Sequence, residues 1–161
     1  MLAGKSKVLY YLVFMVAALS VVAAATGVFY TTGGAPFEVV NQYGETIIIY
    51  GDGIYAHDSY FKAPIFRGTD LVVLMVGVPL LLMATILDIR KRSLKTSLLL
   101  TSLLSLFLYY AISIAFGVTY NSLLLIYIAL FSASLFGLIL AMIRIDYNQG
   151  QRKHYSGIAR R

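Results

Sequence analysis

The feature that most constrains this chain is a set of four long runs that avoid charge. Val8–Tyr30 has 23 residues without a charged side chain, Leu71–Ile89 has only Asp88 near its end, and Thr96–Phe116 and Asn121–Ile143 have none. An α-helix rises about 1.5 Å per residue, so about 20 such residues cross a hydrocarbon core of about 30 Å. Composition points the same way, with 60% of residues hydrophobic, 12% charged and a mean hydropathy of +0.81. Such a chain cannot cover itself with polar surface in water, so lipid is the expected solvent. The expected fold class is all-α transmembrane, a four-helix bundle in one integral membrane domain over residues 1–161. The expected spans are about 8–30, 71–89, 96–116 and 121–143, with an outer loop over 31–70 and a cytoplasmic, mobile tail over 144–161. Val8–Tyr30 reads as an uncleaved signal anchor; it is long for a signal-peptide core and ends in aromatics.

Orientation follows from the basic residues. The start, the connection Asp88–Lys95 and the tail hold 2, 4 and 5 of them, or 11 of the 13 in the chain. The loop 31–70 holds only Lys62 and Arg67, against Glu38, Glu45, Asp52, Asp58 and Asp70. This predicts a multi-pass plasma-membrane protein with both termini in the cytoplasm. It also accounts for the net charge of +6 without a nucleic-acid partner.

The loop carries most of the polar information. Phe37–Gln42 and Glu45–Tyr50 are β-branched and aromatic around Gly44, the pattern of a β-hairpin. Gly51-Asp52-Gly53 signals a turn. Asp58 or Ser59 is placed to cap a short helix through Lys62, with Pro64 opposing its continuation. Asp70 reads as the N-cap of the second span. Gly77 and Pro79 predict a kink within that span. Ser93 reads as the N-cap of the third.

Helices in lipid associate through small residues and interhelical hydrogen bonds. Two rows stand out, each at four-residue spacing: Ala129, Ala133, Gly137 and Ala141, and Ser97, Thr101, Ser105, Tyr109, Ser113 and Gly117. They predict the seam between helices three and four, which the short turn Gly117–Tyr120 makes antiparallel neighbours. Ser20/Ala24, Ala23/Gly27 and Gly77/Ala84 mark further contacts. Tyr109, Tyr110 and Tyr127 fall at similar depth and form either a packing network or the floor of a small pocket beneath the loop.

The candidate binding residues are Tyr50, Tyr55, His57, Asp58, Tyr60, Arg67 and Asp70 in the loop, with Tyr109, Tyr110 and Tyr127 below it. A His next to an Asp suits acid–base chemistry, but no nucleophile motif or phosphate loop accompanies the pair. Without cysteine there is no thiolate metal site or thiol redox centre. Asp52, Asp58 and Asp70 could meet at a hard cation, but their spacing matches no known loop, and neither cofactor nor metal is expected. No span has an ionisable residue in its interior; Asp70, Asp88 and Arg144 read as span ends. That argues against an ion or proton path.

YGDGIYAHDS (Tyr50–Ser59), DLVVLMVGVPLLL (Asp70–Leu82) and YYAISIAFGVTYNSLLLIYIALFSASLF (Tyr109–Phe136) resemble a pattern of small four-helix integral membrane proteins of prokaryotes. The resemblance implies four helices with an outer loop and carries over neither an activity nor a functional residue. The expected function is a non-catalytic binding, sensing or accessory subunit acting through the loop. A small transporter or channel built by oligomerisation, and an outer-face enzyme using His57 and Asp58, are the alternatives. The expected partners are the bilayer and a protein neighbour or second copy within it.

Overall fold

The computed structural model describes the backbone of residues 2–158 and the side chains of residues 7–145. Its elements are α1 (Leu2–Phe29), β1 (Phe37–Val40), β2 (Thr46–Ile49), α2 (Lys62–Lys91), α3 (Leu94–Gly117) and α4 (Leu124–Ile158). Each of the four helices contains a stretch long and apolar enough to cross a membrane. Neighbours follow chain order around the bundle, α1 on α2, α2 on α3, α3 on α4 and α4 back on α1.

The core is a narrow inward stripe. On α1 the buried positions include Leu9, Val13, Val16, Ser20 and Ala23, alternately four and three apart, flanked by Ala17 and Ala24; on α3 they include Leu100, Leu104, Phe107, Ala111 and Ile114, flanked by Tyr110. That spacing keeps one seam facing the partner helices. The opposite faces are also apolar and stay exposed, as at Phe14, Val72, Met75, Leu106 and Phe136. Apolar residues both inside and outside the bundle suit a lipid solvent.

Several expectations are corrected. The second helix starts at Lys62 instead of Leu71, so the loop ends at Phe61 and Asp70 is an interior helical residue, not an N-cap. Pro64 does not stop this helix. It lies in the first turn, where backbone N–H groups have no intrahelical partner, so its missing donor costs little. Ser59 supplies the start instead, its Oγ and carbonyl accepting from the Lys62 amide at 3.3 and 3.0 Å.

The expected Pro79 kink takes the form of a π-turn over Val73–Gly77, in which the Val78 amide donates to the Val73 carbonyl. The inserted residue resets the helical phase, so Asp70 and Val78, eight apart, both face inward. Ser93 does cap α3, through a reciprocal pair with Thr96. Through the described residues the tail continues α4, which is helical to Ile158.

The α3 half of the predicted small-residue seam is also corrected. Ser105 and Tyr109 are exposed. The hydroxyls of Thr101, Ser105 and Ser113 donate to carbonyls one turn back in their own helix. A hydroxyl satisfied inside its helix needs no neighbouring one. On α4 the row is better placed: Ala133, Gly137 and Ala141 are buried, and a β-carbon at Gly137 would lie 3.6 Å from Leu104.

The loop between α1 and α2 folds into a cap. β1 and β2 pair antiparallel, Phe37 opposite Ile49 and Val40 opposite Thr46. Asn41 Oδ1 accepts from the amides of Tyr43 and Glu45 and holds the tip. Ile49 bridges to Ser59, which ties the hairpin to the start of α2.

Candidate functional site

The cap meets the bundle at Asp70. This carboxyl group is fully buried. Its Oδ2 accepts from the Tyr55 hydroxyl at 2.5 Å, and its Oδ1 accepts from the Tyr110 hydroxyl at 2.7 Å. Tyr55 ends a short 3-10 turn in the cap, Gly53–Tyr55, and Tyr110 stands on α3, so one side chain of α2 joins three parts of the molecule. From α1 the facing residue is Gly27, where a β-carbon would overlap Oδ2. Only the smallest side chain lets α1 come this close. Burial, then the adjacent Asp70 carboxylate, push the Tyr55 hydroxyl far above its ordinary pKa, so it remains a donor. The Tyr55 ring stacks on Phe66 of α2 with centroids 5.7 Å apart.

Arg67 lies one turn before Asp70 but turns toward the cap. Its guanidinium donates to the Tyr50 hydroxyl and to the Val28 carbonyl, each at 2.8 Å, and lies 3.7 Å from Asp52. Asp52 receives the amides of Thr32 and Gly33 at 2.7 and 3.0 Å. The Thr32 amide, first among several donors, holds the Asp52 carboxyl below the usual carboxylate range. Gly51 and Gly53 flank it with φ of +81° and +64°, where a side chain would be strained.

The third tie runs to the α3–α4 turn. Asp58 is buried, and its Oδ1 accepts the Thr119 amide and hydroxyl, both at 3.0 Å. Lys62 Nζ donates to the Gly117 carbonyl at 2.6 Å. Nearby, Asp58 Oδ2, Asn121 Nδ2 and the Tyr127 hydroxyl are buried without a hydrogen-bond partner among the described residues.

No protein family, curated protein or solved structure matches the chain. The site must therefore be read from its own chemistry.

The sequence-predicted residues divide clearly. Tyr55, Asp70 and Tyr110 form one bonded group, and Tyr50 and Arg67 form a second with Asp52. Tyr127 is buried beside Tyr55 and Asn121. Tyr60 packs on Tyr50 with ring centroids 6.1 Å apart but is itself exposed. His57 is exposed, and among the described residues no hydrogen bond joins its ring to Asp58. Tyr109 is 72% exposed and lines the cavity between α2 and α3 together with Tyr110, whereas Tyr127 is buried and outside that lining. Asp52, Asp58 and Asp70 are committed to three different sets of donors. Among the described residues no group of three acidic, His or Cys side chains could hold a metal.

Sequence reasoning missed a second cluster at the opposite, basic end. Asp88 of α2 is fully buried, and its Oδ2 accepts from Tyr10 of α1 at 2.9 Å and from Arg144 of α4 at 2.5 Å. Its Oδ1 accepts from Ser97 and Thr96 of α3 at 2.9 and 3.2 Å. All four helices thus meet at one ion pair, with the Arg144 guanidinium also 5.6 Å from the Tyr10 ring centroid. The opposite charges of Asp88 and Arg144, each next to a span end, were the available signal.

A cavity of about 380 Å³ opens on the exposed side between α2 and α3. Phe66, Val73 and Gly77 line it from α2, and Phe107, Tyr110 and Ser113 from α3. It lies beside the π-turn.

Proposed function

We propose that the chain is a multi-pass plasma-membrane protein with both termini cytoplasmic, acting as a non-catalytic binding, sensing or accessory subunit through its cap. The four apolar helices support the membrane reading. The 11 basic residues outside the cap loop support the orientation.

The observation that carries the binding reading is the hairpin. Phe37, Val39, Val40, Ile47 and Ile48 are all exposed, and Tyr43 at the tip is 80% exposed. A two-stranded hairpin is marginal by itself; its register puts exposed Phe37, Val39 and Ile47 on one face and Val40 and Ile48 on the other, and exposed apolar surface of this kind marks an interaction site. The hairpin is held up by the Asp52, Asp58 and Asp70 ties. A neighbouring membrane protein that covers the hairpin would bury its apolar surface, and Tyr55 would carry the effect to α2.

Photo-cross-linking in intact cells from position 43 tests this. A discrete adduct that disappears in Val40→Lys with Ile48→Lys is expected. Absence of any adduct from the hairpin would overturn the reading.

A second reading, a small transporter or channel, is favoured by one observation. Asp70 and Asp88 are both buried within the second helix, where carboxylates often serve ion or proton paths. Proton or alkali-cation flux in liposomes carrying the pure chain would select it over the first.

A further inference from the structure

The cavity between α2 and α3 has a direction. On α2 its lining runs from Ile65 to Leu80, and on α3 from Leu103 to Ile114. The α3 side is about 16 Å long, close to half of a roughly 30 Å hydrocarbon core. The α2 side is about 22 Å long, so the groove starts at the cap side and runs through at least one leaflet. Its walls are apolar, and the hydroxyls of Thr69 and Ser113 are already used by carbonyls of their own helices. Its volume, about 380 Å³, lies in the range of about 300–1,000 Å³ typical of small-molecule pockets.

A cation stands at its upper end. Lys62 precedes Ile65 and Phe66 by one turn on the same face of α2. Both Lys62 and Phe66 lie against Gly117, one turn above Ser113 on α3. The Lys62 ammonium spends one proton on the Gly117 carbonyl, is otherwise exposed, and makes no ion pair among the described residues. A fixed ammonium above an apolar slot of at least leaflet depth is complementary to one molecular class, an amphiphile with an anionic head and a long hydrocarbon chain.

We propose that this groove is a binding site for an anionic phospholipid of the cap-side leaflet. One acyl chain lies between α2 and α3, and the phosphate rests on Lys62. The inference rests on the membrane reading above and adds a ligand to it. The site also reaches the latch. Tyr110 lines the groove with its ring while its hydroxyl holds Asp70. The groove wall on α2 includes the π-turn, the segment of that helix with the least regular hydrogen bonding. A chain in the slot therefore lies against Tyr110, which holds Asp70, and against the π-turn that follows Asp70 on α2.

The test is native mass spectrometry of the detergent-purified chain, titrated with phosphatidylglycerol or phosphatidylcholine of matched chains. Wild type is expected to retain phosphatidylglycerol about fivefold better, the effect of one basic residue near an anionic headgroup. Lys62→Gln is expected to abolish that preference while keeping residual binding of both lipids. Val76→Phe places a ring in the groove from an exposed position, so folding is retained, and is expected to remove binding of both lipids; circular dichroism checks the helices. Equal retention of the two lipids by wild type would overturn the proposal. So would a preference that survives Lys62→Gln, or binding that survives Val76→Phe. A dimer that closes the groove, seen as a doubled mass without lipid, would also overturn it. A chain that stays soluble without detergent would defeat the membrane reading itself, before any lipid is added.

Discussion

Two carboxyl groups of α2 are both fully buried, about 27 Å apart along the helix, and are held in opposite ways. Asp88 receives four side-chain donors from three helices, one of them the Arg144 guanidinium. Asp70 receives two, both tyrosine hydroxyls, and among the described residues no cation touches it. The nearest candidate, Arg67, is turned to Tyr50, Val28 and Asp52. The basic end is thus a charge-compensated knot joining all four helices. The cap end is a lighter clasp between a loop and the bundle. A buried ion pair resists loss of either partner, because the survivor is left charged in a low dielectric. A carboxyl group held by neutral hydroxyls has no such partner to strand. This difference fits a fixed end and an end that can respond.

The largest effect should come from breaking the knot. Asp88→Asn leaves the half-buried Arg144 without its counter-charge and should destabilise the chain by about 3 kcal/mol. Thermal unfolding in detergent would measure it, and Arg144→Met added to Asp88→Asn should recover much of the loss.

At the clasp, Gly27→Ala should be the most damaging single change. Its β-carbon overlaps Asp70 Oδ2, so α1 and α2 must separate, a loss of about 1–3 kcal/mol by overpacking. Asp70→Asn should be milder, about 1–2 kcal/mol. The amide keeps one acceptor oxygen, so only one of Tyr55 and Tyr110 loses its bond. If Asp70→Asn proves as damaging as Asp88→Asn, the distinction between the ends fails.

The smallest effect belongs to Asp52, which is half-buried at the surface of the cap. Its carboxyl is held below the ordinary Asp value of about 3.9 by the Thr32 and Gly33 amides. The tie it provides is therefore intact above that value and is lost as pH falls through the lowered folded value. Protection of the Thr32 and Gly33 amides, taken relative to their intrinsic exchange rates, should fall only in that acid range, and Asp52→Asn should show low protection with no such pH dependence.

Much of the scaffold was legible. Four charge-poor runs mark four helices because hydropathy integrates over many residues, and β-branched residues around Gly44 mark the hairpin. Boundaries were less legible where polar and apolar rules compete. The segment Lys62–Asp70, KAPIFRGTD, reads as loop by composition, yet Pro64 sits where a helix tolerates it. The α3 row of small and hydroxyl residues suggested a seam, but hydroxyls can be satisfied along their own helix, and the sequence does not say which way they turn. Asp70, Tyr55 and Tyr110 were all named as candidates. Their meeting was not readable, because Asp70 and Tyr110 are 40 residues apart and Gly27 admits them from a fourth position.

The central claim is that Asp70 clasps the cap to the bundle while Asp88 holds the opposite end independently. Hydrogen–deuterium exchange of Asp70→Asn against wild type, read peptide by peptide, tests it most directly. The account predicts faster exchange in Gly53–Tyr60 and around Tyr110, with no change around Tyr10 and Ser97. Unchanged exchange in the cap, or equal loosening at both ends, would contradict it.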